Sequence, residues 1–331
     1  MIEILEPGMA VAVQDRGRFG FKRFGVPAAG ALDPYLLACA NLLLDNPPDA
    51  AGLELLAMGP TLLAVDGPVA VALAGEIEAR KTAPDGTVST VPAWSATILA
   101  QGEKLKIGAP RKGIAYLALS GGVQTPPRLG SRATYRRAGL GGFLAAGDKL
   151  PCAAPGSLHQ APPWRYEDGP IRVLAGPQDD HFTAASLKSF ESAEFKVAPT
   201  SDRMGLRLSG PALAHNDKGA EISTDGVVPG AIQVPGDGQP IVLLADGQTT
   251  GGYAKIATVI SADLPRLGQA RPGESLRFKL VGREQARKAL AKRLVDLASW
   301  QGKLTGAAGE IDQQALYRAN LISGVVAGTD E

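Results

Sequence analysis

Side chains able to hold and polarise a small planar group concentrate in Asp246-Gly247-Gln248-Thr249-Thr250-Gly251-Gly252-Tyr253-Ala254-Lys255. An acid, an amide and two hydroxyls there offer both donors and acceptors. Gly251 and Gly252 open backbone conformations closed to other residues and let a ligand approach the main chain. The spacing predicts a seven-residue loop, 246–252, between apolar residues 241–245 and a strand. On that strand Ala254, Ile256, Thr258 and Ile260 fall on one face, with Tyr253, Lys255 and Ala257 on the other. A core face backed by Tyr and Lys reads as the rim of a pocket; a polar hairpin tip explains the same residues equally well.

Other polar residues sit beside glycines in β-rich text: Asp15, Arg18, Asp202, Arg203, Arg207, Glu221, Gln233 and Arg271. Arg203 and Arg207 bracket Gly205 and could anchor an anionic group, while Lys255 could stabilise negative charge on a reacting oxygen. Acid–arginine pairs at strand ends are commonly structural, so this set reads as a site or as scaffolding. No phosphate-cradling loop, zinc motif, GxSxG or CxxC is present, and no metal ligand set emerges from three histidines and two cysteines.

The elements that must position these residues are short. Gly 41 and Pro 25 in 331 residues, with 45% hydrophobic content, signal many turns between strands rather than disorder. Apolar runs recur every ten residues or so from 62 to 120, the spacing of an all-β barrel or sandwich. Asp33 before Pro34 reads as an N-cap opening a helix with Leu36, Leu37, Ala40, Leu43 and Leu44. Residues 283–301 read as a C-terminal amphipathic helix with a stripe of Ala286, Leu290, Leu294 and Leu297. Residues 153–170 lack periodicity and read as a linker, and the last residues as a loose tail with an apolar patch at Leu321-Ile322. The expected division is 1–160, 165–282 and 283–331.

The halves echo each other. Asp15-Arg16-Gly17 and Gly30-Ala31 parallel Asp202-Arg203-Met204-Gly205 and Gly230-Ala231. The pattern Gly, acid, any, Leu enters a run at Gly102, Gly147 and Gly273. A duplicated barrel follows. Net charge is +1, which gives no footprint for nucleic acid or an anionic membrane. With no signal peptide and no membrane-length apolar run, a soluble, cytoplasmic protein is expected.

Taken together, Gln14-Asp15 with Gly17-Arg18, Gly25-Val26-Pro27, Gly30-Ala31 with Asp33, Ser201-Asp202-Arg203-Met204-Gly205, the 246–257 stretch and Asp263-Leu264-Pro265-Arg266-Leu267-Gly268-Gln269 carry a resemblance. They are similar to the allophanate hydrolase subunit 2 family, which takes in the C subunit of 5-oxoprolinase, KipA and biotin-dependent carboxyltransferases related to urea amidolyase. The resemblance covers about residues 2–280. It implies a mainly β fold of two cyclophilin-like β-barrel subdomains with a few helices. It also implies partners, a KipI-like B subunit and an A subunit. Where the family carries Glu-Asn ahead of Gly-Pro, this chain has Glu54-Leu55, so Glu54 is left outside the expected site.

Three functions follow from the resemblance. One is ATP-dependent opening of the 5-oxoproline lactam to glutamate, with ATP handled jointly with the partner subunits. Another is transfer of CO₂ from biotin, carried in trans, to urea or a related amide. A regulator that sequesters a KipI-like kinase inhibitor is the third. The first is preferred, with Lys255, Arg203 and Asp246 as catalytic candidates. Asp15, Arg18, Asp202, Arg207, Glu221, Gln233, Gln248, Thr249, Gly251, Gly252 and Arg271 are the expected substrate contacts.

Overall fold

A computed structural model describes residues 1–307; the expected loose tail and its Leu321-Ile322 patch lie outside the described residues. Two cyclophilin-like β-barrel subdomains lie side by side. In the first, Lys149–Leu150, Ile2–Glu6, Thr61–Ala64, Lys104–Ile107, Ala79–Thr82 and Val88–Val91 make one sheet in that order. Ala12–Gln14, Gly52–Leu55, Lys112–Leu119, Val69–Glu76 and Ala96–Leu99 make the other. The alternating runs read from 62 to 120 are these strands, and their inward Leu, Val and Ile close a dry core between the sheets.

The second subdomain is one eight-stranded, barrel-like sheet. Its order is Ser275–Leu276, Phe195–Val197, Gly205–Ser209, Ile241–Leu243, Ala231–Gln233, Lys255–Val259, Ile171–Ala175 and Phe278–Leu280. Only the last pair is parallel. Stacked Phe190 and Phe278, with Phe195 beside them, fill its base.

The repeated Gly-acid-x-Leu pattern has one physical cause. Gly102, Gly147 and Gly273 all adopt φ between 84° and 88°, which favours glycine. The acid that follows each one accepts the backbone N–H three residues back: Ala100 to Glu103, Ala145 to Asp148 and Arg271 to Glu274, over 2.7–3.1 Å. Each turn delivers the chain into a strand.

Helix α1 (Pro34–Leu42) starts where expected, with Asp33 Oδ1 accepting Leu36 N–H at 3.0 Å. It is buried on nearly every side, between the outer face of the five-stranded sheet and the C-terminal helix. Helices α2 (Ala184–Ser192) and α3 (Leu264–Gly268) belong to the second subdomain. Helix α4 (Arg283–Gln301) straps back over the first, where Trp300 and Leu297 join the cluster around α1. Its expected stripe holds at Ala286, Leu290 and Leu297 but not at Leu294. Leu294 is 57% exposed and Arg293 is buried, because Arg293 turns inward over the Tyr166 ring, 4.8 Å from its centroid. Residues 161–169 are a packed strap rather than a free linker, with Trp164 stacked on Tyr35.

Two expectations around Lys255 need correction. Thr250–Tyr253 is strand, not loop; it pairs with Glu221–Gly226 as a two-stranded ribbon beside the barrel. The alternation predicted through residue 260 also breaks. Ile232 pairs with Ala257 but Gln233 pairs with Lys255, so Ile256 is an extra residue, a bulge that flips the faces. Ala257 and Val259 therefore join the core, and Thr258 is only half-buried.

Candidate active site

The bulge decides what meets beneath the ribbon. Gln233 and Lys255 end up opposite each other, 2% and 3% exposed. Gln248 Nε2 donates to Gln233 Oε1 over 3.1 Å. That fixes the Gln233 amide with its Nε2 buried and, among the described residues, without a hydrogen-bond partner. Such a state costs about 1–3 kcal/mol until something accepts from it. Gly251 closes over the same amide, and a β-carbon there would lie 2.4 Å from Gln233 Nε2.

Lys255 Nζ lies 3.2 Å from Asp225 Oδ2, and the ribbon register places Asp225 opposite Gly251. Asp225 is exposed, and its bond to Lys255 holds its carboxyl below the usual range. A buried ammonium thus meets one carboxylate at the edge of solvent. Glu221 and Thr249 border this cluster, Glu221 opposite Tyr253 and the Thr249 carbonyl accepting Val227 N–H at 3.0 Å. Gly252 has no close neighbour, with only ordinary contacts from 3.6 Å. Neither Gly251 nor Gly252 has a positive φ, so close approach, not backbone freedom, is what Gly251 supplies.

Arg203 and Asp246 occupy a different place, the seam between the subdomains. The Arg203 fork donates to Asp246 Oδ2 and Oδ1 at 3.0 and 2.9 Å, to the Gly30 carbonyl at 2.6 Å and to Glu54 Oε1. Burial opposes its charge, yet Glu54 and Asp246 hold its pKa above the ordinary value. Glu54 Oε2 accepts Tyr116 O–H at 2.6 Å and Leu32 N–H at 2.9 Å. Beside it Asp33 is fully buried; it accepts Tyr166 O–H at 2.6 Å and Gln269 Nε2 at 2.7 Å. Desolvation nevertheless pushes its carboxyl up to about 6. Seven segments of chain, around residues 30–33, 54, 116, 166, 203, 246 and 269, converge on this network.

The remaining candidates are dispersed around that seam. Arg271 ties the subdomains through the carbonyls of Pro110, Arg111 and Gly113. Asp15 accepts Gly17 N–H, Ser131 O–H and Arg132 N–H at 2.6–2.8 Å. Arg18 is 2% exposed; Nη2 reaches the Ala133 carbonyl, and Nε and Nη1 have no partner among the described residues. Asp202 caps its own turn, accepting Met204 N–H at 2.8 Å. Arg207 is exposed on its strand, far in character from Arg203, whose side chain is 11% exposed.

Residues 24–280 match the model of the carboxyltransferase domain, subdomain A and B. The chain belongs to that family. It is 38% identical to the 5-oxoprolinase C subunit of Escherichia coli over 298 residues, covering 87% of this chain and 94% of the relative. It is 30% identical to urea amidolyase of Saccharomyces cerevisiae, covering 91% of this chain and 18% of that much longer protein. The solved urea amidolyase of K. lactis superposes with a TM-score of 0.81 at 26% identity, over 92% of this chain and 21% of that one. This carboxyltransferase-family chain is therefore nearly the whole of one relative and a small part of the others.

Glu54 and Asp225 are the acids that sequence reasoning passed over. A signal for Glu54 was present: a lone acid inside Gly52–Leu55, a wholly buried strand, must find a partner. Asp225 had none, because its role depends on a ribbon joining segments that begin about thirty residues apart.

Proposed function

We propose that this chain is the C subunit of an ATP-dependent 5-oxoprolinase, opening the lactam of 5-oxo-L-proline to L-glutamate together with an A subunit and a KipI-like B subunit. The observation that carries this reading is the buried, unpartnered Gln233 Nε2 opposite Lys255. A lactam is flat, with one oxygen to accept and one N–H to donate. Gln233 can donate to the oxygen, and Lys255 can stabilise the negative charge that grows there as the carbon is attacked. The exposed Gln248 lends orientation, since its own amide nitrogen is already spent on Gln233.

ATP supplies the phosphoryl group that makes the amide carbon attackable. The cluster holds a single cation already facing Asp225, which fits an amide rather than a triphosphate, so ATP is handled jointly with the partner subunits and no step here runs through it. The likeness to the C subunit across 94% of its length supports the partner requirement.

Transfer of CO₂ from biotin on another protein is the second reading, favoured by the carboxyltransferase family itself and by the urea amidolyase relatives. It places the same demand on the cluster, because urea is also a flat amide. Reconstitution decides between them: the three subunits should release glutamate from 5-oxoproline only with ATP and only when this chain is present. Undiminished release without this chain, or release that needs added biotinylated carrier, would overturn the first reading.

A further inference from the structure

Charge is unevenly placed on this nearly neutral chain. Residues 16–32 and 121–147 contain eight Arg and Lys and no Asp or Glu, so the rest of the chain sums to −7. The fold brings the two segments together. Residues 17–28 form an Ω-loop closed by Arg18 N–H on the Ala28 carbonyl and Ala31 N–H on the Asp15 carbonyl, at 2.8 and 2.9 Å. Its base is pinned to the second segment by Asp15 with Ser131 and Arg132, and by Gln14 with Thr134. None of these eight cations makes an ion pair among the described residues.

The same two loops expose Phe19 and Phe24 at 65% and Phe143 at 41%. An arginine stacks on each ring: Arg16 on Phe19, Arg23 on Phe24 and Arg136 on Phe143, at 4.2–5.8 Å from the centroid. Exposed aromatic rings held by guanidinium groups are the composition of protein interfaces rather than of free surface. The loop base also touches the seam, with Ala29 N–H on the Ala245 carbonyl and Arg203 on the Gly30 carbonyl. Phe19 and Arg16 line the mouth of a cavity of about 600 Å³ between the subdomains.

We propose that this basic, aromatic face docks an acidic surface of the partner subunit, which then covers the cavity mouth beside the seam. The inference rests on the reading that the chain works in a hetero-complex, and it adds where that complex forms. The exposed cations of the two acid-free loops, Arg16, Arg23, Arg128, Arg136 and Arg137, fit carboxylates on the partner, and the rings fit apolar side chains among those carboxylates.

The test measures binding of the full chain to the A-subunit and B-subunit homologues of its own organism, each purified separately, at 50 and 300 mM NaCl. Binding of one of them should weaken about tenfold or more with salt, as charge-steered association does. Arg23→Glu with Arg137→Glu should weaken it by about thirtyfold at low salt. Phe24→Ser should weaken it about tenfold and leave the salt dependence alone. Lys279→Glu, on the far subdomain, is the control and should bind as wild type. All variants should melt with wild type, since these side chains make no buried contact.

A complex that forms but ignores the Arg23/Arg137 reversal overturns the docking face alone. Failure of both partners to bind at low salt overturns the face and the hetero-complex reading together. Tighter binding to transfer RNA or to vesicles of phosphatidylserine than to either partner would also overturn it.

Discussion

Two buried polar clusters differ in how fully their groups are used. At the seam, Arg203 spends its fork on Asp246, Glu54 and Gly30, and Glu54 is further bonded by Tyr116 and Leu32. Beneath the ribbon, Gln233 Nε2 has no partner among the described residues, and Lys255 faces one exposed carboxylate. A saturated network holds a structure in place, whereas the unused Gln233 Nε2 beside a buried ammonium leaves a donor for a ligand oxygen. On our proposal the seam is scaffold and the ribbon cluster is site, although both are made of the same residue types.

The largest effect that would break this contrast concerns Arg203. Arg203→Ala leaves Glu54 and Asp246 buried and uncompensated, which should cost about 3–5 kcal/mol of stability. Calorimetry or denaturant titration measures it. A variant that melts with wild type yet loses turnover would move Arg203 from scaffold to site.

Asp33 offers the next largest effect, through pH. Its folded carboxyl titrates near 6 against an ordinary 3.8, so the folded state binds that proton more tightly than the unfolded chain. The group therefore stabilises the fold less as pH rises between about 4 and 6. Wild type should lose about 2 kcal/mol relative to Asp33→Asn between pH 4 and pH 7, at about 1.36 kcal/mol per pKa unit. Parallel stability curves for the two proteins would show that Asp33 is not the strained group of the seam.

Under the ribbon, the two adjacent glycines should separate. Gly251→Ala drives a methyl into the Gln233 amide and should lower turnover about tenfold or more by misplacing it. Gly252→Ala meets nothing closer than 3.6 Å and should stay within about twofold of wild type. Equal losses at both positions would locate the glycine requirement in the ribbon backbone instead.

Much of this was legible in residue order. Period-two runs, turn glycines and the Asp33-Pro34 cap announced the strands and α1 because those signals are local. The Gly-acid pattern even marked three turns that share one hydrogen bond. What escaped depended on contacts distant along the chain. Ile256 looks like any apolar strand residue, so the bulge that turns Lys255 from Ala257 is invisible without its partner strand. Glu54 and Arg203 lie 149 residues apart, and only the docking of the two subdomains shows that Arg203 is used up. Arg293 in place of Leu294 on α4 was likewise decided by a partner, Tyr166, on a strap without periodicity.

Lys255 tests the central claim most directly. Lys255→Met keeps the buried stem but removes the ammonium, so packing is preserved and charge stabilisation is lost. In the assay reconstituted from all three subunits, turnover should fall about 10²–10³-fold, the size seen when one oxyanion donor is removed, while the melting temperature stays within a few degrees. Wild-type turnover, or a loss of activity that only tracks a loss of stability, would contradict the assignment of the ribbon cluster as the site.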